Sequence, residues 1–160
     1  MLRTITAAVL ALASAPVIAQ DASRPTDGAN PLAAYRGEFR PLIVFSSPTD
    51  PKLLLQTNAF DAAKEGLVER DQVVLVVVGT GARTIEMRAG AVTQGAAPDN
   101  EALRERFGVA PDEFAVVLVG KDGGEKLRKN DLLTMRELFA TIDAMPMRQR
   151  EMREDAATDG

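Results

Sequence analysis

Two apolar runs constrain this chain more than any other feature. Pro41-Leu42-Ile43-Val44-Phe45 and Gln72-Val73-Val74-Leu75-Val76-Val77-Val78, the latter ending at Gly79, are rich in β-branched residues and carry no polar alternation. A strand with one wet face alternates apolar and polar side chains, whereas a strand covered on both faces does not. Both runs therefore predict central strands with helices on each side. Between them, Leu53, Leu54, Phe60, Ala63 and Leu67 recur at helical spacings, so the pattern predicts a helix over residues 52–65. Pro51 suits its first turn and Gly66 stands near its stop. The result is a βαβ unit with a right-handed crossover.

Further along, residues 81–97 are rich in Gly and Ala, and only Ile85 and Met87 suggest a short extended piece, so this stretch reads as an excursion. Asp99 is a good N-cap, Leu103 and Phe107 lie four apart, and Gly108 closes that helix. Phe114-Ala115-Val116-Val117-Leu118-Val119 reads as a third strand. Gly120-Lys121-Asp122-Gly123-Gly124 has the chemistry of a tight reversal, and Glu125-Lys126-Leu127-Arg128 returns as an antiparallel edge strand. A last helix, starting at Asn130 or Asp131, carries Leu132, Met135, Leu138, Phe139, Ile142 and Met145 on one stripe until Pro146 ends or kinks it.

Length and composition limit what such a fold can do. The 160 residues fit one domain with trimmed ends, and 46% hydrophobic with 26% charged residues is ordinary for a packed chain. No apolar stretch approaches the roughly 20 residues of a membrane span. Arg3, the eight residues Ile5-Thr6-Ala7-Ala8-Val9-Leu10-Ala11-Leu12, and Val17-Ile18-Ala19 read as a secretory signal over residues 1–19. Residues 20–30 follow as a linker, 31–146 as the domain and 147–160 as a charged tail. The expected location is outside the cytoplasm, secreted or periplasmic, with no stable membrane span once the signal is removed. Removing the signal takes away a single cation, Arg3, so the excess of 23 Asp+Glu over 19 Lys+Arg deepens. An acidic chain with six Phe, one Tyr and no Trp has neither the charge nor the stacking platform for nucleic acid.

The order β-α-β, α, β-β-α resembles the thioredoxin fold, an α/β architecture with a central mixed sheet of about four strands and helices on both faces. Three stretches carry a closer resemblance: Arg40-Pro41-Leu42-Ile43-Val44-Phe45 followed by Gln56; residues 114–128 with their Lys-Asp-Gly-Gly run; and Leu138-Phe139 with Ile142-Asp143-Ala144-Met145-Pro146-Met147-Arg148 and Arg150-Glu151-Met152. Together they are similar to a family of bacterial domains of unknown function that is itself similar to the P-DUDES domain of vertebrate extracellular matrix proteins, sushi-repeat proteins and equarin among them. The resemblance covers roughly residues 30–153 and implies a thioredoxin-like fold in secreted or surface-exposed proteins. It implies no catalytic residues.

Cysteine and histidine are both absent. That removes disulfides, thiol redox chemistry, Cys/His zinc sites and Ser-His or Cys-His nucleophiles together. Where redox-active thioredoxins carry thiols, between first strand and first helix, this chain has Ser46-Ser47-Pro48-Thr49-Asp50-Pro51-Lys52. Ser46, Ser47, Thr49 and Asp50 are candidate binding residues, because a helix start offers free N–H groups and hydroxyls; helix capping alone also explains them. Pro111 lies three residues ahead of Phe114, a loop position that does not suit a functional cis-proline. Lys121-Asp122-Gly123-Gly124 lacks the glycine spacing and the Ser or Thr of a phosphate loop, so it reads as a hairpin turn. Lys121 and Arg128, with Lys126, form a basic cluster beside it and complete the candidate residues. Met135, Met145, Met147 and Met152 fit apolar packing better than copper, so no metal and no cofactor is expected. Arg148, Arg150 and Arg153, with Glu151 and Glu154, read as a solvated helix face. The function expected is a non-redox binding module for an unknown protein or a small anionic ligand. The alternative is an enzyme using carboxylates or Lys121 in a cleft.

Overall fold

A computed structural model describes residues 30–80, 84–88, 91–92 and 98–158. Among them, a single 3-10 turn Ala33–Tyr35 precedes strand β1 (Arg40–Ser46), helices α1 (Pro51–Ala62) and α2 (Lys64–Glu69), and strand β2 (Gln72–Val78). Strands β3 (Ile85–Arg88) and β4 (Ala91–Val92), helix α3 (Asn100–Phe107), strands β5 (Ala115–Val119) and β6 (Glu125–Lys129), and helices α4 (Met135–Asp143) and α5 (Pro146–Thr158) complete the order.

The strands form one mixed sheet in the order β4-β3-β2-β1-β5-β6. β1 and β2 are parallel, with Leu42 beside Val74, while β5 runs antiparallel to β1 with Val44 opposite Val116. The inner order β2-β1-β5-β6 is consistent with the thioredoxin-like α/β architecture expected from the sequence. All seven residues of β1 are buried, because successive side chains feed two different cores. Ile43 and Phe45 join Leu75, Val77, Leu103 and Phe107 under α3; Leu42 and Val44 join Phe60, Leu67, Leu138 and Ile142 under α1, α2 and α4.

Four features differ from the sequence reading. The sheet has two more strands than the roughly four expected: β3, where Ile85 and Met87 suggested a short extended piece, pairs antiparallel with the outer edge of β2, and β4 pairs antiparallel with β3, while residues 81–83, 89–90 and 93–97 lie outside the described residues. The first helix breaks at Ala63 and resumes to Glu69, passing through Gly66. Gly66 is no stop signal: a Cβ there would stand 2.8 Å from the Phe139 ring, so the glycine lets α2 approach α4. The turn comes later, at Asp71 with φ 51°. The last helix begins at Met135, capped by Thr134, whose hydroxyl accepts from the Glu137 N–H at 3.2 Å. Asp131 instead accepts from its neighbour Leu132 N–H and pairs with Lys52. Finally, Pro146 ends one helix by starting another, α5, and Arg148 on it is buried rather than solvated.

Because β1 and β2 are parallel, Ser46 and Val78 close the same end of the sheet. The antiparallel β5 delivers Gly120 and Lys121 to the opposite end, beside Arg40.

Candidate functional site

At the carboxyl ends of β1 and β2, where open α/β sheets admit ligands, the chain's own side chains occupy the space. Arg104 reaches in from α3. Its Nη2 donates to the carbonyls of Ser46 (3.1 Å) and Val77 (3.3 Å), its Nε to Gly79 (3.0 Å) and its Nη1 to Ala110 (2.6 Å). The guanidinium also lies 5.5 Å from the Phe45 ring centre. Burial pulls its pKa down, and Asp112 and Glu113 oppose that. Asn100 works beside it, donating to the Val78 carbonyl and accepting from the Thr84 hydroxyl.

The loop that follows β1 is spent on structure. Ser46 is fully buried and donates its hydroxyl to the Ser47 carbonyl at 2.9 Å. Asp50 caps α1, accepting from the Lys52 N–H at 2.8 Å, and Lys52 pairs with Asp131 at 3.0 Å. Thr49 is exposed and Ser47 half-buried. Among the described residues all peptide bonds are trans, Pro111's included.

The opposite end is built differently. Arg40 opens β1 with 1% of its surface exposed, although a guanidinium is a costly group to bury unpaired. Its Nη2 donates to both oxygens of Glu151 at 2.9 Å and its Nη1 to the Arg70 carbonyl at 3.0 Å. Lys121 bridges Asp71 (2.7 Å) and Glu151 (2.8 Å). Burial pushes the Glu151 carboxyl upward, but hydrogen bonds from Lys121 and Arg40, with their charges, outweigh it and hold the group below the ordinary carboxylate range. Arg148 extends the network to Glu69 at 2.7 Å, and Arg70 grips Asp143 through two hydrogen bonds of 2.9 and 2.8 Å. These pairs seat α5 against α2, α4 and the start of β1. Among the described residues no three carboxylates converge in the manner of a cation cage.

Beside this network opens a cleft of about 480 Å³, whose lining includes the polar side chains of Arg40, Lys121, Asp122, Lys126 and Thr141 and the apolar ones of Met145 and Met147. Lys126 reaches across Gly120 to Asp122 at 2.6 Å. That hydrogen bond, and one from the Gly124 N–H, hold the Asp122 carboxyl below its ordinary value. The turn between them is the hairpin expected, with Gly123 at φ 82°. Arg128 turns elsewhere: it pairs with Glu125 at 2.8 Å and lies 6.0 Å from the Phe107 ring, on the α3 face. Lys121 and Lys126 therefore share a cleft, Arg128 does not, and Ser46, Ser47, Thr49 and Asp50 lie at the far end. Arg40, Arg104 and Glu151 carry most of the polar architecture, a role the sequence reading gave to none of them: it placed Glu151 on a solvated helix face, whereas its carboxylate is bound by Arg40 and Lys121.

A family model described as Domain of unknown function (DUF4174) matches residues 31–151, a span that includes both ends of the sheet and every member of the ion-pair network. The chain belongs to the DUF4174 family. This DUF4174 domain is also 34% identical over 119 residues to sushi repeat-containing protein SRPX of Rattus norvegicus and, to the same extent, to sushi-repeat-containing protein SRPX of Mus musculus. Those matches cover 72% of this chain and 25% of each relative, so the chain spans about a quarter of the proteins it matches.

Proposed function

We propose that this DUF4174 domain is an extracytoplasmic, non-redox binding module whose ligand docks at the Lys121 end of the sheet. The observation that carries the reading is the cleft of about 480 Å³ lined by Lys121, a volume in the usual range for ligand sites. The filled end supports it from the other side, since Arg104 takes the place a ligand would need next to Ser46. The signal-like residues 1–19 support an extracytoplasmic location, and no described helix is long and apolar enough to cross a membrane.

The enzyme alternative has one observation in its favour, the placement of Lys121 in a cleft with carboxylates close by. Asp71 and Glu151 are already bound to cations and do not line the cleft, and Asp122, which does, is held by Lys126, which favours binding over acid-base work.

The test compares what bead-bound protein recovers from a cell-envelope extract with three forms: wild type, Lys126→Glu, and Ser46→Ala with Asp50→Ala. Loss of the recovered partner on Lys126→Glu alone is expected. Loss on the Ser46 and Asp50 changes alone would move the site to the loop after β1.

A further inference from the structure

We propose that the cleft between the β5–β6 turn and the start of α5 binds an organic carboxylate with an apolar body, an inference that rests on the binding-module reading above. Three features of the wall specify that chemistry. First, cations outnumber carboxylates in the lining itself: Arg40, Lys121 and Lys126 line the cleft with the single carboxylate of Asp122, while Asp71 and Glu151, which balance Arg40 and Lys121, are not part of the lining. Second, charged donors remain. An ammonium has three N–H donors; Lys121 spends two, on Asp71 and Glu151, and Lys126 spends one, on Asp122. Lys121 is also held almost immobile by those two bonds, so an anion meeting its third proton adds little ordering cost. Third, apart from Thr141 the part of the lining supplied by α4 and α5 is apolar. Ala144, Met145, Pro146 and Met147 form the junction of α4 and α5, and thioether side chains adapt to varied aliphatic shapes.

An inorganic anion would use only the cationic half of this surface, and a neutral apolar molecule would leave the spare donors facing nothing. A carboxylate head between Lys121 and Lys126, with its hydrocarbon on Met145 and Met147, uses both. The same chemistry exists in a free organic acid and in the carboxyl terminus of a peptide that ends in apolar residues.

Amide NMR of the full chain, titrated with octanoate, octanol and inorganic phosphate, tests the assignment. Octanoate should shift Gly120, Lys121, Lys126, Ala144 and Met147 saturably, and octanol should bind at least about tenfold more weakly, since one charged hydrogen bond corresponds to that factor. Lys126→Gln should weaken octanoate about as much, and an otherwise unchanged spectrum shows that the one-third-exposed lysine was not holding the fold. An apolar tetrapeptide with a free carboxyl terminus, beside its amide, separates the two sources of carboxylate: tighter binding of the free peptide than of octanoate identifies a chain end, and the reverse a free acid.

Equal binding of octanol and octanoate, shifts confined to residues 46–52, or no shift with any probe would overturn the proposal. Phosphate binding at the cleft without octanoate would overturn the ligand class alone and leave the binding-module reading standing.

Discussion

Single residues at the two ends of the sheet carry opposite burdens. Arg104 ties four backbone carbonyls together, and its removal takes a charged donor from each, leaving the Ser46 and Ala110 carbonyls with only the backbone N–H groups of Gly79 and Glu113. Arg104→Ala should therefore cost about 2–4 kcal/mol, read as a lower urea midpoint at constant slope. At the other end, Glu151 binds its proton less readily in the folded chain than a free carboxylate does. Its contribution is thus present above the ordinary unfolded value of about 4.3 and is lost as pH falls through the lower folded value. Urea unfolding of wild type and Glu151→Gln at a series of pH values should show the wild type more stable near neutrality by about 2 kcal/mol. The two should converge as the pH drops below about 4; a difference that stays constant into acid would mean that Glu151 acts by packing and not by charge. The sequence reading missed both roles, placing Glu151 on a solvated helix face and giving Arg104 none. A charge on a helix reads as solvated unless its neighbours say otherwise. For Arg104 they do: Leu103 precedes it and Phe107 follows three residues later, so the spacing already places it beside the buried stripe. For Glu151 nothing local says so, because the partners Arg40 and Lys121 are 111 and 30 residues away.

Elements were legible where the signal was local and misplaced where a tertiary contact decided. Asp99 and Gly108 bound α3 as their chemistry predicts, the one accepting from two N–H groups and the other in the left-handed region at φ 61°. The β5–β6 hairpin likewise followed from its glycines. Gly66 misled, because a glycine needed for close approach looks the same in sequence as a glycine that stops a helix. This predicts an inverted propensity effect. Gly66→Ala in an exposed helix would gain about 1 kcal/mol, but here the added methyl meets the Phe139 ring and should instead cost about 1–2 kcal/mol. Gly66→Ala combined with Phe139→Leu should recover most of that loss in thermal unfolding. If Gly66→Ala alone raises the midpoint, the close packing of α2 on α4 is wrong. Thr134→Ala should cost about 1 kcal/mol as a lost cap, more than Asp131→Ala, which removes only solvent-exposed contacts, the pairing with Lys52 and the bond from the Leu132 N–H.

On the scale of the whole molecule, strand-forming runs without alternation were enough to imply a sheet covered twice, and the two cores on either side of β1 bear that out. The edge strands were only partly legible: Ile85 and Met87 hinted at the extended piece that is β3, but four residues and then two at an edge leave too short a pattern to specify paired strands against a Gly- and Ala-rich background. Function separates from fold at this scale. The architecture is consistent with that of thioredoxins, yet the end of the sheet where thiols would stand holds a buried serine sealed by an arginine, and the chain has no cysteine anywhere. Disulfide reduction requires thiolate attack and a mixed disulfide, which neither hydroxyls nor thioethers can supply. The most direct measurement is therefore insulin disulfide reduction by dithiothreitol in the presence of the purified protein. The rate should equal that of dithiothreitol alone at every protein concentration. Acceleration proportional to protein, persisting after contaminating oxidoreductases are removed, would contradict the account.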